Sequence, residues 1–227
     1  MSRDFEDPKA TLAWVHETYG DAAGISCSFG GPGGLVLLHM AYSEGLRIPV
    51  LFVDTGFLFP ETYALKERLE REWSLRIRTA FPSLTPEEQS ERFGDNLWLT
   101  DPDLCCRLRK VDPMARLLEG VDCWVTALRR DQSPSRAGMK HFEVHVTETG
   151  TTILKVNPLI DWTRKDVWSY IVEHNVPYNP LLDRGYGSLG CTHCTAKSLN
   201  GDERSGRWPG MPKTECGLHT FTRRRNA

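Results

Sequence analysis

Three cysteines in the last sixth of the chain have the residue type and spacing of groups that do chemistry. Cys191 and Cys194 are separated by two residues, a spacing at which one loop can offer two thiolates to one metal centre. Cys216 stands apart from them in a polar stretch, close in sequence to Lys213 and His219. Because nearby positive charge favours the nucleophilic thiolate, Cys216 is a candidate reactive thiol. The alternative is an incidental surface cysteine.

A second pair of thiols, Cys105 and Cys106, could complete a four-thiolate site with Cys191 and Cys194. Four thiolates ligate either zinc or a four-iron four-sulfur cluster. Side chains of adjacent residues project in divergent directions, which suits a wide cluster better than the tight tetrahedron of one zinc ion. We therefore favour a cluster and keep zinc as the alternative. A buried pair without metal is a third interpretation, although the basic residues that follow the pair are poor neighbours in a core.

The other two cysteines, Cys27 and Cys123, lie in apolar strand candidates and are expected to be small core residues. The first residues of the chain are polar and acidic and do not form the apolar centre of a signal peptide. No run of the sequence approaches the ~18 apolar residues that would span a membrane. We expect a cytoplasmic protein without a membrane partner, in which clustered cysteines indicate metal binding or catalysis rather than disulfides.

Length and charge limit the remaining function classes. The chain has 227 residues, of which 40% are hydrophobic and 26% charged, and this length suits one large α/β domain. The net charge of -2 provides no basic field for a nucleic-acid polymer. Positive charge is concentrated locally instead, and such clusters suit a small anion or, on the plainer interpretation, a solvated surface. The basic clusters lie at 107–110, 129–136, 204–207 and 223–225.

Alternating strand and helix patterns predict an α/β fold with an open, doubly wound, mostly parallel sheet. Ligands of such sheets bind beyond the carboxyl ends of the strands. The last fifth of the chain is rich in loop-forming residues. Strands are predicted at 23–28, 49–54, 75–80 and 123–127, with a hairpin over 142–147 and 151–156, and helices at 8–20, 35–43, 105–118 and 163–174.

A glycine-rich turn, residues 28–34, joins the first predicted strand to an apolar helix. Bare backbone N–H groups and the helix dipole make such a turn a phosphate-binding arrangement. A simple chain reversal is the alternative interpretation, because glycine serves both purposes.

The sequence resembles the assimilatory sulfonucleotide reductases, specifically the branch that reduces adenylyl sulfate. The resemblance extends from about residue 28 to residue 219 and rests on several long strings rather than one short motif. These strings occupy 51–57, 59–62, 105–106, 109–111, 129–134, 178–181, 183–186, 190–191, 194–195 and 215–219.

The resemblance implies one sulfonucleotide reductase domain over 1–227, with the Rossmann-like fold of the adenine nucleotide alpha hydrolases. Residues 190–227 would form the cluster loop and a mobile catalytic tail. The implied reaction is the reduction of adenylyl sulfate to sulfite and AMP by thioredoxin or a glutaredoxin-like donor, through an S-sulfo adduct on Cys216. The sequence leaves the oligomeric state open, and a homo-oligomer is compatible with it.

The resemblance also assigns the site residues by matching position. Cys105, Cys106, Cys191 and Cys194 would hold one four-iron four-sulfur cluster. Contacts to the nucleotide would come from Ser28, Phe29 and Gly30, and contacts to the phosphosulfate from Lys110, Arg136, Arg204 and His219.

Two departures from the family pattern limit what the resemblance implies. Relatives often carry acidic residues where this chain has Gly33 and Gly34, and further aromatic residues where it has 209–212. The competing functions are a reductase of the 3′-phosphorylated nucleotide, a dual-specificity enzyme and a zinc-bound nucleotide-binding protein without redox activity. An adenylating thiolation enzyme is disfavoured, because the turn does not supply the Ser-Gly-Gly-x-Asp-Ser loop of that class.

Overall fold

The computed structural model describes residues 5–147, 150–199 and 202–218, in which strands and helices alternate. The strands are β1 (Ala23–Ser26), β2 (Val50–Val53), β3 (Ile77–Ala80), β4 (Cys123–Val125), β5 (Phe142–Val146) and β6 (Thr152–Val156). The helices are α1 (Pro8–Tyr19), α2 (Pro32–Ser43), α3 (Pro60–Glu72), α4 (Pro86–Phe93), α5 (Leu97–Thr100), α6 (Pro102–Cys106), α7 (Asp112–Leu117) and α8 (Arg164–Glu173).

The six strands form one sheet in the order β3-β2-β1-β4-β6-β5. All neighbouring pairs are parallel except β5 and β6, which form the predicted antiparallel hairpin. Ile25 of β1 is in register with Val50 on one side and Val125 on the other. The chain therefore leaves β1 in one direction, through β2 and β3, and later returns to the opposite side of β1 at β4. The turn after β1 lies at this topological switch point, where ligands of such sheets bind.

Both faces of the sheet are covered, as the prediction of a doubly wound sheet requires. On one face α1, α2 and α8 pack on one another and enclose the larger core, in which Leu12, Leu37 and Ile171 are buried. On the other face α7 contacts β2 and β3, and Met114 packs with Trp124 in a smaller core.

Two helices differ from their predictions. Helix α2 begins three residues earlier than predicted, at Pro32, whose fixed φ angle suits a first helical turn. The single helix predicted over 105–118 is instead divided, because the π-helical turn Arg107–Val111 separates α6 from α7. Pro113 has no N–H to donate to the carbonyl four residues earlier, which favours an interruption there. Such turns are frequent at functional sites.

The carboxyl-terminal segment, defined here as the described residues from 186 to 218, folds back over the carboxyl end of the sheet. It consists of loops, the short 3₁₀ turn Thr192–Cys194 and an isolated bridge between Thr195 and Arg207. None of the helices in the described ranges is long and apolar enough to cross a membrane.

Candidate active site

A cavity of about 230 Å³ opens at the switch point, beyond the ends of β1, β2 and β4. The turn after β1 and the first residues of α2 form its floor. Residues 187–190 of the carboxyl-terminal segment form one wall, and Arg204, Arg207 and Trp208 form another. Because a helix amino terminus presents unpaired N–H groups and positive potential, the floor of this cavity favours an anionic group such as a phosphate.

Glycines bring the floor and wall of the cavity close together. A Cβ atom on Gly34 would lie 2.9 Å from Cys27 Sγ, so only glycine allows α2 to pack this tightly on the end of β1. A Cβ atom on Gly30 would lie 3.0 Å from Leu189 Cβ, so this glycine allows the carboxyl-terminal segment to approach the turn. These close approaches give the glycines a packing role, which the sequence-based choice between phosphate binding and chain reversal did not predict.

The three residues predicted to contact the nucleotide have different positions. Ser28 lines the cavity. Phe29 does not, because its side chain is fully buried in the core, with its ring centroid 5.6 Å from that of Phe52. Gly30 also lies outside the cavity lining, beside Leu189. Phe29 has a φ angle of 53°, a left-handed conformation that turns its side chain inward at the sharp bend after β1.

All four cysteines of the predicted metal site are buried, and only 6% or 7% of the surface of each residue is exposed. Burial, followed by the charge of Cys106, raises the pKa of Cys105 to about 12. Burial likewise raises the pKa of Cys106 to about 11, although Lys110 opposes the shift. Burial and the neighbouring Cys191 raise the pKa of Cys194. These thiols would stay protonated at neutral pH unless a bound metal displaced the protons.

The surroundings of the four cysteines fit a sulfur-rich centre. Trp208 packs against Cys106 and Cys194, and its Nε1 is buried without a hydrogen-bond partner among the described residues. The Nε of Arg207 is buried and unpartnered in the same part of the chain. Buried N–H donors of this kind are what the sulfur atoms of a thiolate-bound cluster accept. Within the described residues, no three His, Cys, Asp or Glu side chains converge closely enough to hold a single metal ion.

Arg109 fixes the loop that follows β2 beside these cysteines. Its side chain is 1% exposed, donates to Gln89 Oε1 at 2.7 Å and to the Thr85 carbonyl at 2.8 Å, and stacks on Phe57 at 4.6 Å. The same loop holds the cysteines directly, because the Cys191 thiol donates to Thr55 Oγ1 at 3.4 Å. Arg109 is therefore a structural cation that supports the site.

The predicted nucleophile Cys216 lies at the mouth of the cavity and packs against Cys106, Cys194 and Trp208. The residues around it are anchored to the rest of the molecule. Lys213 pairs with Asp103, and the following Leu218 packs against the smaller core beside α7. The structure thus brings the candidate nucleophile to both the cavity and the buried thiols.

Lys110, a predicted sulfate ligand, lines the cavity. Burial lowers the pKa of Lys110, but the neighbouring thiols of Cys191 and Cys216 more than offset this effect, so its pKa lies above the ordinary value. The amine therefore carries positive charge into a partly buried site, where an anion gains most from it.

The two predicted arginine ligands line the cavity but are engaged by a residue that sequence reasoning missed. Arg136 donates to both oxygens of the Glu215 carboxylate, at 3.0 and 2.9 Å, and Arg204 donates to it at 3.2 Å. In the sequence Glu215 stands next to Cys216 and within the family string 215–219, but neither signal shows what its carboxylate binds. His219, the last predicted ligand, lies outside the described residues.

Comparison with known proteins identifies relatives of the whole arrangement. A family model described as the phosphoadenosine phosphosulfate reductase domain matches residues 23–197. A protein of Shouchella clausii named adenosine 5′-phosphosulfate reductase is 48% identical over 93% of this chain and 87% of its own length. A Bacillus subtilis protein named adenosine 5′-phosphosulfate reductase 2 is 44% identical over 94% of this chain and 89% of its own length.

Solved structures give the same picture of the fold. The phosphoadenylyl-sulfate reductase of Candida auris, in a phosphate complex, superposes with a TM-score of 0.72 at 32% identity. It covers 84% of this chain and 90% of its own. The FMN adenylyltransferase of Candida glabrata shares the fold with a TM-score of 0.60 at 17% identity, over 93% of this chain and 75% of its own.

Proposed function

This chain belongs to the phosphoadenosine phosphosulfate reductase domain family, and from that premise we propose that it reduces adenylyl sulfate (adenosine 5′-phosphosulfate) to sulfite and AMP. The observation that carries the proposal is the position of Cys216, at the mouth of an anion-attracting cavity at the switch point of the sheet. Relatives that are 44% and 48% identical carry the name adenosine 5′-phosphosulfate reductase, whereas the phosphoadenylyl-sulfate reductase of known structure is 32% identical. Adenylyl sulfate is therefore the favoured substrate.

The first half of the reaction is a displacement at sulfur. The Cys216 thiolate attacks the sulfate sulfur, the bond from that sulfur to the bridging phosphate oxygen breaks, and AMP leaves with the electron pair. Cys216 then carries an S-sulfo group. Because thiolate and phosphosulfate are both anions, their approach needs nearby cations, and Lys110 and Arg207 supply positive charge at the cavity wall.

The second half releases sulfite. One thiolate of reduced thioredoxin, or of a glutaredoxin-like donor, attacks Cys216 Sγ, and sulfite leaves with the electrons of the broken sulfur–sulfur bond. The second thiol of the donor then attacks the mixed disulfide, which restores Cys216 and leaves the donor oxidised. The donor must therefore reach Cys216, which is half-buried in the structure.

The four buried cysteines Cys105, Cys106, Cys191 and Cys194 would hold a four-iron four-sulfur cluster, the group that their chemistry and the unpartnered N–H donors around them fit. When bound, the cluster would supply fixed charge and a rigid link between α6 and the carboxyl-terminal segment. Purified protein should contain about four irons per chain and absorb broadly near ~400 nm. A colourless protein that binds zinc after anaerobic purification would contradict this assignment.

Intact mass spectrometry tests the reaction most directly. Protein incubated with adenylyl sulfate in the absence of a thiol donor should gain the mass of one SO₃ group, and peptide mapping should place it on Cys216. The Cys216→Ser variant should gain nothing, whereas the control Cys123→Ala, at a buried core cysteine, should still form the adduct. An adduct on another cysteine, or none in the wild type, would overturn the proposal.

A further inference from the structure

The carboxylate of Glu215 is held by four side chains, of which Arg136 and Arg204 line the cavity. Arg136 binds it with two parallel hydrogen bonds, from Nε to Oε1 at 3.0 Å and from Nη2 to Oε2 at 2.9 Å. Arg204 Nη2 donates to Oε2 at 3.2 Å. The hydroxyls of Ser133 and Ser135 lie 3.4 and 3.3 Å from Oε1. Five donor contacts on one carboxylate distinguish this site from a chance surface ion pair, and we call the four side chains that make them the receptor.

The receptor belongs to a different part of the chain from the residue that it binds. Ser133, Ser135 and Arg136 follow β4, about eighty positions before Glu215, and they are held by short 3₁₀ turns. Arg204 also binds the backbone next to Glu215, because its Nη2 donates to the Thr214 carbonyl at 2.6 Å. The receptor thus fixes both the side chain and the main chain that lead directly into Cys216.

All three guanidinium nitrogens of Arg136 donate hydrogen bonds, two of them to Glu215. Its Nε and Nη2 donate to Glu215, and its Nη1 donates to Gln132 Oε1. The side chain is 9% exposed, and the partner carboxylate is 16% exposed. Bidentate arginine–carboxylate pairs at such burial are strong and geometrically specific. Burial raises the pKa of Glu215, but the hydrogen bond and charge of Arg136 outweigh it, so the pKa lies below its ordinary value and the carboxylate stays ionised at neutral pH.

We propose that Glu215 is the positioning residue that seats the nucleophile: its carboxylate docks on Arg136 and Arg204 and thereby places Cys216 at the cavity mouth. The inference rests on the proposed function, because it takes Cys216 as the nucleophile. It gives Arg136 and Arg204 a task beyond binding substrate, since they also hold the tail in its closed position. Release of sulfite to a thiol donor then requires that this carboxylate leaves its receptor.

A competing account makes the opposite prediction. If Glu215 merely occupies an anion site that belongs to the phosphosulfate, its removal would free Arg136 and Arg204 for substrate. The KM for adenylyl sulfate would fall and kcat would be unchanged. If Glu215 positions Cys216, its removal lowers kcat with little change in KM, because the nucleotide floor at the turn after β1 is untouched.

Accessibility of Cys216 tests the closed position without any substrate. The holoenzyme and its Glu215→Ala, Glu215→Gln and Glu215→Asp variants are treated with a bulky maleimide and, separately, with iodoacetamide, and the modification of Cys216 is followed by peptide mass. The ratio of the two rates cancels any change in the thiolate fraction. We expect this ratio to rise at least ~10-fold in Glu215→Ala and Glu215→Gln, because loss of a buried charge-assisted pair opens the tail.

The conservative variant and a surface control complete the design. Glu215→Asp retains the charge and should recover part of the protection, whereas Glu119→Gln, at a solvent-exposed carboxylate, should match the wild type. Rate ratios within twofold of the wild type in Glu215→Ala would overturn the proposal. Because this readout needs no adenylyl sulfate, it can succeed or fail independently of the proposed reaction.

Single-turnover formation of the Cys216 adduct then separates the two accounts. We expect the maximal rate to fall at least ~10-fold in Glu215→Gln and to recover partly in Glu215→Asp, with KM within about threefold of the wild type. A lower KM at an unchanged maximal rate would show that Glu215 only competes with substrate. Unchanged AMP binding in each variant would establish that the nucleotide floor is still folded.

Discussion

The turn after β1 and the carboxyl-terminal segment face each other across the cavity, but different interactions hold them. The turn is fixed by its neighbours in sequence and by the apolar core, as Phe29 in the core and the tight packing of Gly34 on Cys27 illustrate. The carboxyl-terminal segment has little regular structure, and ion pairs to distant residues position it, such as Arg129 with Glu203 and Arg136 with Glu215.

In the proposed reaction this difference would correspond to two tasks. A nucleotide floor gains from rigidity, because a preformed site loses little conformational entropy when it binds its ligand. A nucleophile that must first meet the substrate and later a protein thiol has to change position. Polar contacts suit that purpose, because ionic partners can be replaced by water or substrate when they separate, whereas a packed core cannot open locally at comparable cost.

The largest expected effect is that of removing the Arg129 side chain, which should loosen the carboxyl-terminal segment more than the sheet. Arg129 is 1% exposed and pairs with Asp131 at 2.9 Å and Glu203 at 3.0 Å. Arg129→Met would leave the largely buried Glu203 carboxylate without its ion-pair partner, which typically costs about 3–5 kcal/mol, whereas Asp131 would keep its hydrogen bond from the Arg164 N–H. We expect amide exchange in the carboxyl-terminal segment to become at least ~100-fold faster, for example at the Trp208 N–H that donates to the Cys194 carbonyl at 3.1 Å. Hydrogen exchange with mass spectrometry measures this.

The adjacent arginine provides the matched control. Arg130 pairs with Asp161 on the surface. Arg130→Met should therefore change the free energy of opening of the carboxyl-terminal segment, as measured by hydrogen exchange, by less than about 1 kcal/mol. If Arg129→Met accelerates exchange equally in β1 and β2, the segment and the sheet open together, and the distinction between the two regions fails.

The second largest effect should come from adding a methyl group at Gly24 in β1, which should destabilise the sheet. A Cβ atom there would lie 2.7 Å from both Cγ and Cδ1 of Leu51, a core residue of the neighbouring strand. Gly24→Ala therefore overpacks the sheet and should lower the free energy of unfolding by about 1–3 kcal/mol. Urea denaturation measures the loss, and Gly138→Ala, where no atom lies within 4 Å of the added Cβ, is the control. Equal stability of the two variants would contradict the tight packing.

The smallest expected effect is that of mild acid, which should lower the free energy of unfolding through a histidine in the sheet. Burial and the charge of Lys155 lower the pKa of His145 from 6.5 to about 4, although Glu143 opposes the shift. Between those pH values the unfolded chain binds a proton that the native chain does not, so the free energy of unfolding falls as the pH falls. From pH 7.5 to 5.5 His145 should contribute about 1 kcal/mol to the loss measured by urea denaturation.

The His145→Gln variant isolates that contribution, because it removes the titrating group and should reduce the pH dependence by the same amount. His145 lies against Trp124 in the sheet, with ring centroids 5.2 Å apart, and far in sequence from the tail. An unchanged pH dependence in the variant would assign the acid sensitivity to another group.

The sequence by itself determined the sheet and singled out the candidate reactive residues. Period and apolar runs predict strands and helices because burial of one face is a local property of the chain, and the hairpin of β5 and β6 and the parallel core strands agree with that prediction. The spacing of cysteines, together with the family resemblance, singled out Cys191, Cys194 and Cys216 before any coordinates.

Tertiary structure alone decided how the site is closed. In the sequence Glu215 is one carboxylate among many. Its role depends on Arg136, which lies seventy-nine positions away in the sequence and binds it only in the folded chain. The inward side chain of Phe29 depends on one left-handed backbone angle, which no residue pattern in the sequence announces. Contacts between distant residues and single dihedral angles leave no periodic signal in a sequence, so only the folded chain shows them.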